Sequence, residues 1–420
     1  MKSHHFDTII FGNGPAARIA AFLAGRRGRR ILICGDDQPA TLPSVLPFCH
    51  HLEKLLTIFG TDRSQLQAAG NLQLIAQQHR LDLTGKPLDD EWRRELTTED
   101  EKPAQLLQKL DIWGAKLAQT LTARNPSALF SLRGQIRLAA VGWKPAHERL
   151  SPGASLSRYL ERHTNHEAGN LLRDLFCGLS GLSVDMLSMA QAALLWHWTC
   201  LPKTFKGDTL SQLLSLRTRQ FHVAETPSTQ IESLVWSGRR LQGIRLRDGQ
   251  NIRADQFVLA SQDALSFFTV TNKKYQQMLC ATRPTWTTTP IRGEASPLLA
   301  ERFILAGAVP LLVTRYDVPE GVRFLIEAGV HSGERPYTCK DIDQRLRQIL
   351  AFTEFHVEEV ALPARNRPHK GYVKLCGLPC SMPRRNLLIA IPGWLFPGSG
   401  INSELLLGFA IANQLIPTTK

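Results

Sequence analysis

The first seventeen residues constrain this chain more than any other stretch. Asp7-Thr-Ile-Ile-Phe11 is an apolar run of strand length, and it passes through Gly12-Asn-Gly14-Pro-Ala-Ala17 straight into an alanine-rich segment. The pattern is that of a strand, a glycine turn and a helix built to hold a dinucleotide. Gly12 permits the tight turn, Gly14 lets a pyrophosphate approach the backbone, and Ala17 keeps the helix close to the strand. Pro15 and Ala16, at the head of the helix, complete the candidate contact set. The phosphates would rest on unpaired amides at the positive end of the helix dipole.

Composition permits a sizeable globular protein. At 420 residues, with 43% apolar and 21% charged side chains, the chain is long enough for two cored domains. Its formal net charge is +13, which favours contact with something anionic. No zinc-finger pattern, RNA-binding aromatic signature or basic zipper is present. The partner expected is therefore an anionic membrane surface rather than nucleic acid. The cluster Arg26-Arg27-Gly28-Arg29-Arg30 reads as a solvated loop at a helix C-terminus. No apolar stretch of signal-peptide form opens the sequence, and none reaches membrane-spanning length. The expectation is a cytoplasmic protein with at most peripheral membrane contact. The eight cysteines, at 34, 49, 177, 200, 280, 339, 376 and 380, form no CxxC pair and read as reduced core residues. Cys49-His50-His51 places adjacent side chains in different directions, so no metal site is expected there.

Further along, strands are expected at Arg30 to Cys34, Leu72 to Leu83, Asp90 to Leu96, Thr229 to Trp236 and Phe257 to Ser261. Helices are expected at His51 to Phe59, from Thr98 through Leu121, at Ser155 to His163, and from Ala168 to Leu201. Thr204-Phe-Lys-Gly-Asp precedes a short helix. Leu241 to Ala254 reads as a hairpin, with Asp248-Gly249 supplying a type I′ turn. A helix near Lys340 to Phe352 interrupts later strands. Asn386-Leu-Leu-Ile-Ala-Ile391 is a final strand, and a last helix runs from Ser403 to Ile416.

Three separated blocks agree with one family. They are the glycine turn, the Asp-Gly hairpin ending in Val258-Leu-Ala-Ser261, and Asn386-Leu-Leu-Ile-Ala followed by Pro397-Gly-Ser-Gly-Ile401. In that order they resemble the phytoene desaturase and FAD-dependent amine oxidase superfamily, over nearly the whole chain and including Phe205-Lys-Gly-Asp-Thr-Leu-Ser-Gln-Leu-Leu214. The resemblance implies an α/β fold with a Rossmann-like FAD-binding domain, discontinuous in sequence, and an inserted α+β substrate domain. The implied boundaries are 1–60, 205–265 and 378–420 for the FAD domain, with 61–204 and 266–377 as the substrate domain. Non-covalent FAD would be held by Gly12, Gly14 and Ala17. Ile231 falls where relatives offer adenine a backbone contact, and Ala260 and Ser261 lie beside the nucleotide. Gly393, Trp394, Gly400 and Ile401 fall in the segment that faces the flavin ring.

The chain departs from the family at acidic positions. Aligning on Gly28 places Gly35 where relatives carry a ribose-binding Glu, with Asp36 as the nearest substitute. The usual Gly-Gly-Arg run is missing between 37 and 50, and Pro392-Gly393 stands where relatives have Gly-Asp. Two functions follow. One is a flavin-dependent oxidoreductase, desaturase-like or amine-oxidase-like, taking hydride from a lipophilic substrate such as an isoprenoid, with the apolar 168–201 region near it. The other is a non-catalytic relative that keeps the fold as a binding module. No catalytic base is assignable. Gly35→Glu with Gly393→Asp is expected to raise FAD affinity if the site is merely eroded.

Overall fold

A computed structural model describes residues 4–35, 45–61, 66–84, 88–96, 102–123, 129–141, 153–221, 223–261, 284–293, 298–318, 321–329, 339–350, 355–357, 362–366, 385–391 and 401–415. Strand β1 (His4–Phe11) turns into helix α1 (Pro15–Gly25), and β2 (Ile31–Gly35) follows. Ile10 packs into one apolar cluster while Ile9 and Phe11 pack into another. Burial on both faces explains why β1 reads as an unbroken apolar run.

The next elements are β3 (Val45–Pro47), α2 (His50–Phe59), β4 (Gln67–Ala68), β5 (Leu72–Ile75) and β6 (Arg80–Asp82). The single strand expected at Leu72 to Leu83 is thus a hairpin, closed by Ala76 N–H on the His79 carbonyl at 2.8 Å. Asp90 to Leu96 corrects the reading further: it lies in a helix, α3 (Leu88–Leu96). Helical spacing sets Arg94 against Glu91 at 2.8 Å and buries Trp92. From there Glu91 and Glu95 accept the backbone N–H groups of Asp82 (3.2 Å) and Arg80 (2.9 Å). These tertiary bonds hold the segment as a helix against the strand expected from the sequence.

Helices α4 (Lys102–Ala123), α5 (Leu132–Val141), α6 (Leu156–His163), α7 (His166–Ser180) and α8 (Met189–Thr199) come next. The predicted apolar stripe of α4, from Leu106 to Leu121, is buried throughout. The helical stretch expected over Ala168 to Leu201 is broken where Gly181, at φ +64°, ends α7. It restarts at a capping box formed by Ser188 and Gln191. Leu172, Leu175, Phe176, Leu187, Leu194, Leu195, Trp196 and Trp198 are all core.

Strand β7 (Lys203–Lys206) joins β3 and β4 in a small sheet and leads into α9 (Gly207–Gln220), a full helix rather than a short one. Then come β8 (Ala224–Pro227), β9 (Ile231–Ser237), β10 (Arg240–Leu246) and β11 (Asn251–Leu259). The β10–β11 connection corrects the type I′ expectation. Leu246 N–H meets the Gln250 carbonyl and Gly249 N–H meets the Leu246 carbonyl, each at 2.9 Å, which closes a three-residue loop. Gly249 has φ +82° whereas Asp248 is not left-handed; its carboxylate instead accepts the Gln250 N–H at 2.9 Å. The hairpin arm and the strand expected at Phe257 are one continuous element.

The remaining elements are β12 (Pro284–Gly293), β13 (Arg302–Leu305), β14 (Leu311–Val318), β15 (Gly321–Gly329), α10 (Cys339–Ile349), β16 (Phe355–Val357), β17 (Leu362–Asn366), β18 (Leu387–Ile389) and α11 (Ile401–Leu415). One sheet runs β8-β2-β1-β11-β10-β9, with β18 also on β11. In it β8, β2, β1, β11 and β18 are parallel, while β10 and β9 are antiparallel. A second runs β16-β12-β15-β14-β13-β5-β6, with β17 also on β12. Alternate residues of β13 serve its two faces: Phe303 and Leu305 pack with Ile342 and Leu346 of α10, and Ile304 meets Gly178 of α7. The architecture is the mixed α/β arrangement that the sequence implies.

Candidate dinucleotide site

The parallel strands of the first sheet end together, and the glycine turn sits at that edge. Gly12 N–H donates to the Cys34 carbonyl (2.7 Å), Ala260 N–H to the Phe11 carbonyl (2.8 Å), and Ala390 N–H to the Leu259 carbonyl (2.8 Å). These bonds lace the exits of β2, β1, β11 and β18 into one line, where open α/β sheets bind their ligands. The basic loop at Arg26 to Arg30 lies at the other end of β1: Arg30 N–H meets the Asp7 carboxylate at 2.8 Å, and Arg30 covers the Phe6 ring. It is a largely exposed surface loop, as expected, and stands away from the glycine turn.

The two glycines are small for different reasons. Gly12 has φ +120°, and a Cβ there would lie 2.7 Å from Ser261 Cβ and 3.1 Å from the Ala260 carbonyl carbon. The fold itself demands glycine at this position. Gly14, the N-cap of α1, has φ −74° and ψ 173°, extended backbone that any residue adopts. Among the described residues only the Glu404 carboxylate, at 3.9 Å, lies within 4 Å of a Cβ built there. Neither its conformation nor its packing among the described residues requires glycine. Pro15, Ala16 and Ala17 form the buried first turn of α1, and Pro15 removes an amide that would have no intrahelical partner.

Gly35 and Asn13 share one space. A Cβ on Gly35 would lie 2.5 Å from Asn13 Cβ and 2.8 Å from Asn13 N. A side chain at position 13 therefore excludes one at position 35. Gly35→Glu would therefore force the turn to shift, because its Cβ collides with Asn13. The signal in the sequence was Asn at the centre of the glycine turn, paired with glycine at the end of the second strand.

Ile231 starts β9, four residues past Pro227, which pairs with Gly35 across β8 and β2. Its side chain is buried against the sheet, in the cluster that contains Phe11, Leu32 and Cys34. Ala260 and Ser261 lie directly against Gly12. Ile401 opens α11. Asp36, Gly393, Trp394 and Gly400 lie outside the described residues.

Sequence reasoning missed the place of Arg18, on α1. It is buried, with its guanidinium 3.3 Å from Glu225 and 3.5 Å from the Ser215 hydroxyl, so it ties α1 to β8 and α9. Sequence reasoning also missed Glu404. Its Oε2 accepts the Ala16 N–H at 2.9 Å across 388 residues of chain. It is the sole charge in Ile401-Asn-Ser-Glu-Leu-Leu-Leu-Gly-Phe-Ala-Ile-Ala-Asn-Gln-Leu415, and that isolation was the available signal.

Near the site, Cys49 precedes α2 and burial pushes its thiol up to about 11. Burial also raises Cys34 well above the usual thiol range. His50 turns outward to Glu53 at 3.3 Å, whereas His51 is buried against the Phe409 ring. Burial, reinforced by the charges of His50 and Lys54, lowers His51 to about 3. Among the described residues, Cys34, Cys49, Cys177 and Cys200 form no disulfide.

No family model matches the chain. In an alignment 284 positions long that covers 62% of this chain, it is 24% identical to a soluble pyridine nucleotide transhydrogenase from Chromohalobacter salexigens, and the match spans 58% of that protein. In fold it is similar to cyclohexylamine oxidase from Brevibacterium oxydans, with TM-score 0.62, 14% identity and 98% of each chain covered. It is likewise similar to putrescine oxidase, with TM-score 0.62 and 13% identity over 99% of this chain and 100% of that one. An oxidoreductase from Methanosarcina mazei matches at TM-score 0.60 and 11% identity, over 96% of this chain and 98% of the other. From end to end, the chain has the fold of the amine oxidases.

Proposed function

We propose that this protein is a flavin-dependent oxidoreductase that holds FAD non-covalently at the glycine turn. The observation that carries the reading is Gly14, a glycine that neither backbone conformation nor packing among the described residues requires, set where a pyrophosphate would reach the amides of α1. The amine oxidase fold over the whole chain and the match to the transhydrogenase support it. The Gly12–Gly14 turn would hold the diphosphate, Ala260 and Ser261 would form the floor beside it, and the chain following Pro227 would flank the adenosine half. FAD, when bound, supplies the hydride acceptor. The chain's own part is to bind, orient and exclude water, and no proton-transfer residue is assigned.

The purified protein should show a visible flavin spectrum, or acquire one on adding FAD, and should release flavin on denaturation. Gly14→Ala should lose at least about tenfold in FAD affinity while changing stability by no more than about 1 kcal/mol. A colourless protein that takes up no added FAD favours the second reading, a non-catalytic relative. The collision between Asn13 and any side chain at position 35 supports that alternative.

A lipophilic substrate reached from a membrane surface completes the proposal. The large apolar residues of α7 and α8 are core, so support comes from the surface instead. Leu132 and Ile136 of α5 are 55% and 54% exposed, beside exposed Arg133 and Arg137 on a helix without acidic residues. No helix among the described residues is long and apolar enough to cross a membrane. The protein should sediment with vesicles rich in phosphatidylserine, not with neutral ones, and raised salt should release it. Leu132→Ser with Ile136→Ser should weaken that binding several-fold. Failure to sediment at low salt removes the membrane from the proposal.

A further inference from the structure

We infer that Glu404 sets the affinity of the dinucleotide site, as an internal anion seated on an amide that the incoming diphosphate uses. The inference rests on reading the glycine turn as a dinucleotide site, and it adds a determinant that the reading does not contain. An ionisable side chain in the first turn of an otherwise uncharged, largely buried helix needs a physical reason. Gly408 supplies the geometry. A Cβ on it would lie 2.7 Å from Ile19 Cβ and 3.1 Å from the Ala16 carbonyl oxygen, so α11 lies hard against α1. One helical turn earlier on the same face, Glu404 is level with the first turn of α1. Gly14, as N-cap, has no side chain to offer, and Ala16 N–H is among the amides left without an intrahelical acceptor. Glu404 fills that role from the far end of the chain, and its carboxylate lies beside the space over Gly14.

The N-terminal turns of α1 and α11 therefore meet, and their positive ends favour one anion between them. Without ligand, that anion is Glu404. A pyrophosphate that takes the Ala16 N–H must displace the carboxylate or sit beside a like charge. Either course weakens binding relative to a chain with a neutral residue at 404. The same carboxylate stabilises the unliganded fold, so removing it moves stability and affinity in opposite directions. A purely structural residue would lower both.

The test uses the full chain stripped of ligand, with FAD and ADP as separate probes. Calorimetry measures binding to the parent, Glu404→Gln and Glu404→Ala proteins, and thermal unfolding is recorded without ligand. Both variants should bind ADP and FAD at least about tenfold more tightly than the parent, while their unliganded Tm falls. Glu404→Gln retains an acceptor oxygen for Ala16 N–H, so it serves if the alanine variant folds poorly. Unchanged or weaker binding by both variants overturns the inference. If ADP binding tightens but FAD binds to none of the proteins, the inference stands and the flavin reading fails. If the parent holds FAD and the variants hold it equally, the flavin reading stands and Glu404 is only a cap. If neither probe binds any folded protein, both fall.

Discussion

Gly12→Ala is expected to destabilise the protein by about 2–4 kcal/mol and to abolish detectable FAD binding. Two independent penalties fall on this one methyl group. The backbone at φ +120° is a conformation that residues with a Cβ rarely adopt. The methyl would also lie 2.7 Å from Ser261 Cβ and 3.0 Å from Ser261 N, at the exit of β11. Relief requires β11 to move away from the turn, yet the Ala260 N–H bond to Phe11 and the parallel pairing of β1 with β11 oppose that motion. The turn would shift instead, and its amides with it. Gly28→Ala is the control. Gly28 has φ +80° with nothing among the described residues within 4 Å of its added Cβ, so backbone strain is the expected cost, about 1 kcal/mol. That variant should retain FAD. Urea unfolding and flavin titration of the two proteins read the difference. A Gly12→Ala protein as stable as Gly28→Ala would mean that the turn is not wedged beneath β11.

The glycine turn was legible because its chemistry is local. Strand, turn and helix are consecutive, and the spacing of Gly12, Gly14 and Ala17 reflects constraints within that short unit. The apolar stripe of α4 was legible because helical periodicity repeats over several turns. What stayed hidden depended on partners distant in sequence. Asp90 to Leu96 resembles a strand until Glu91 and Glu95 are seen accepting the backbone N–H groups of β6. Gly35 looks like a lost acid until Asn13 is found in its space. Glu404 resembles a stray charge in an apolar helix until α1 is packed between α9 and α11. At Asp248-Gly249 the sequence marked the turn but not its type. Either a two-residue or a three-residue loop accepts that pair, and the register of β10 on β11 decides between them.

His51 should take stability from the protein as pH falls below about 6.5, and His51→Leu should remove that contribution. The ring is buried near the N-terminus of α2, against Phe409, with His50 and Lys54 as like charges nearby. Burial is the largest cause of a folded-state value near 3, against 6.5 for the free side chain. The position near the positive end of the helix dipole works in the same direction. The sign follows from proton binding. Between these two values the unfolded chain holds a proton on His51 that the folded chain does not, so stability falls as pH falls. Above about 6.5 both states are neutral there and the effect vanishes. Over the full window the loss amounts to about 4–5 kcal/mol, comparable to the whole stability of many domains. Asp174 opposes it in part. Burial raises that carboxyl from 3.8 to about 6, against the pull of the Gly307 N–H and Arg345, so the folded chain holds the extra proton between those values. Stability from Asp174 therefore grows as pH falls through 6 and is complete below 3.8. The net profile should decline as pH falls through about 6.5, ease between about 6 and 4, where the two groups oppose each other, and decline more steeply below 4. Urea midpoints measured across this range give the profile directly. In His51→Leu the descending limbs should disappear, leaving a protein that gains slightly in stability on mild acidification. A variant whose midpoints track the parent at every pH would show that His51 accepts its proton without opening the fold.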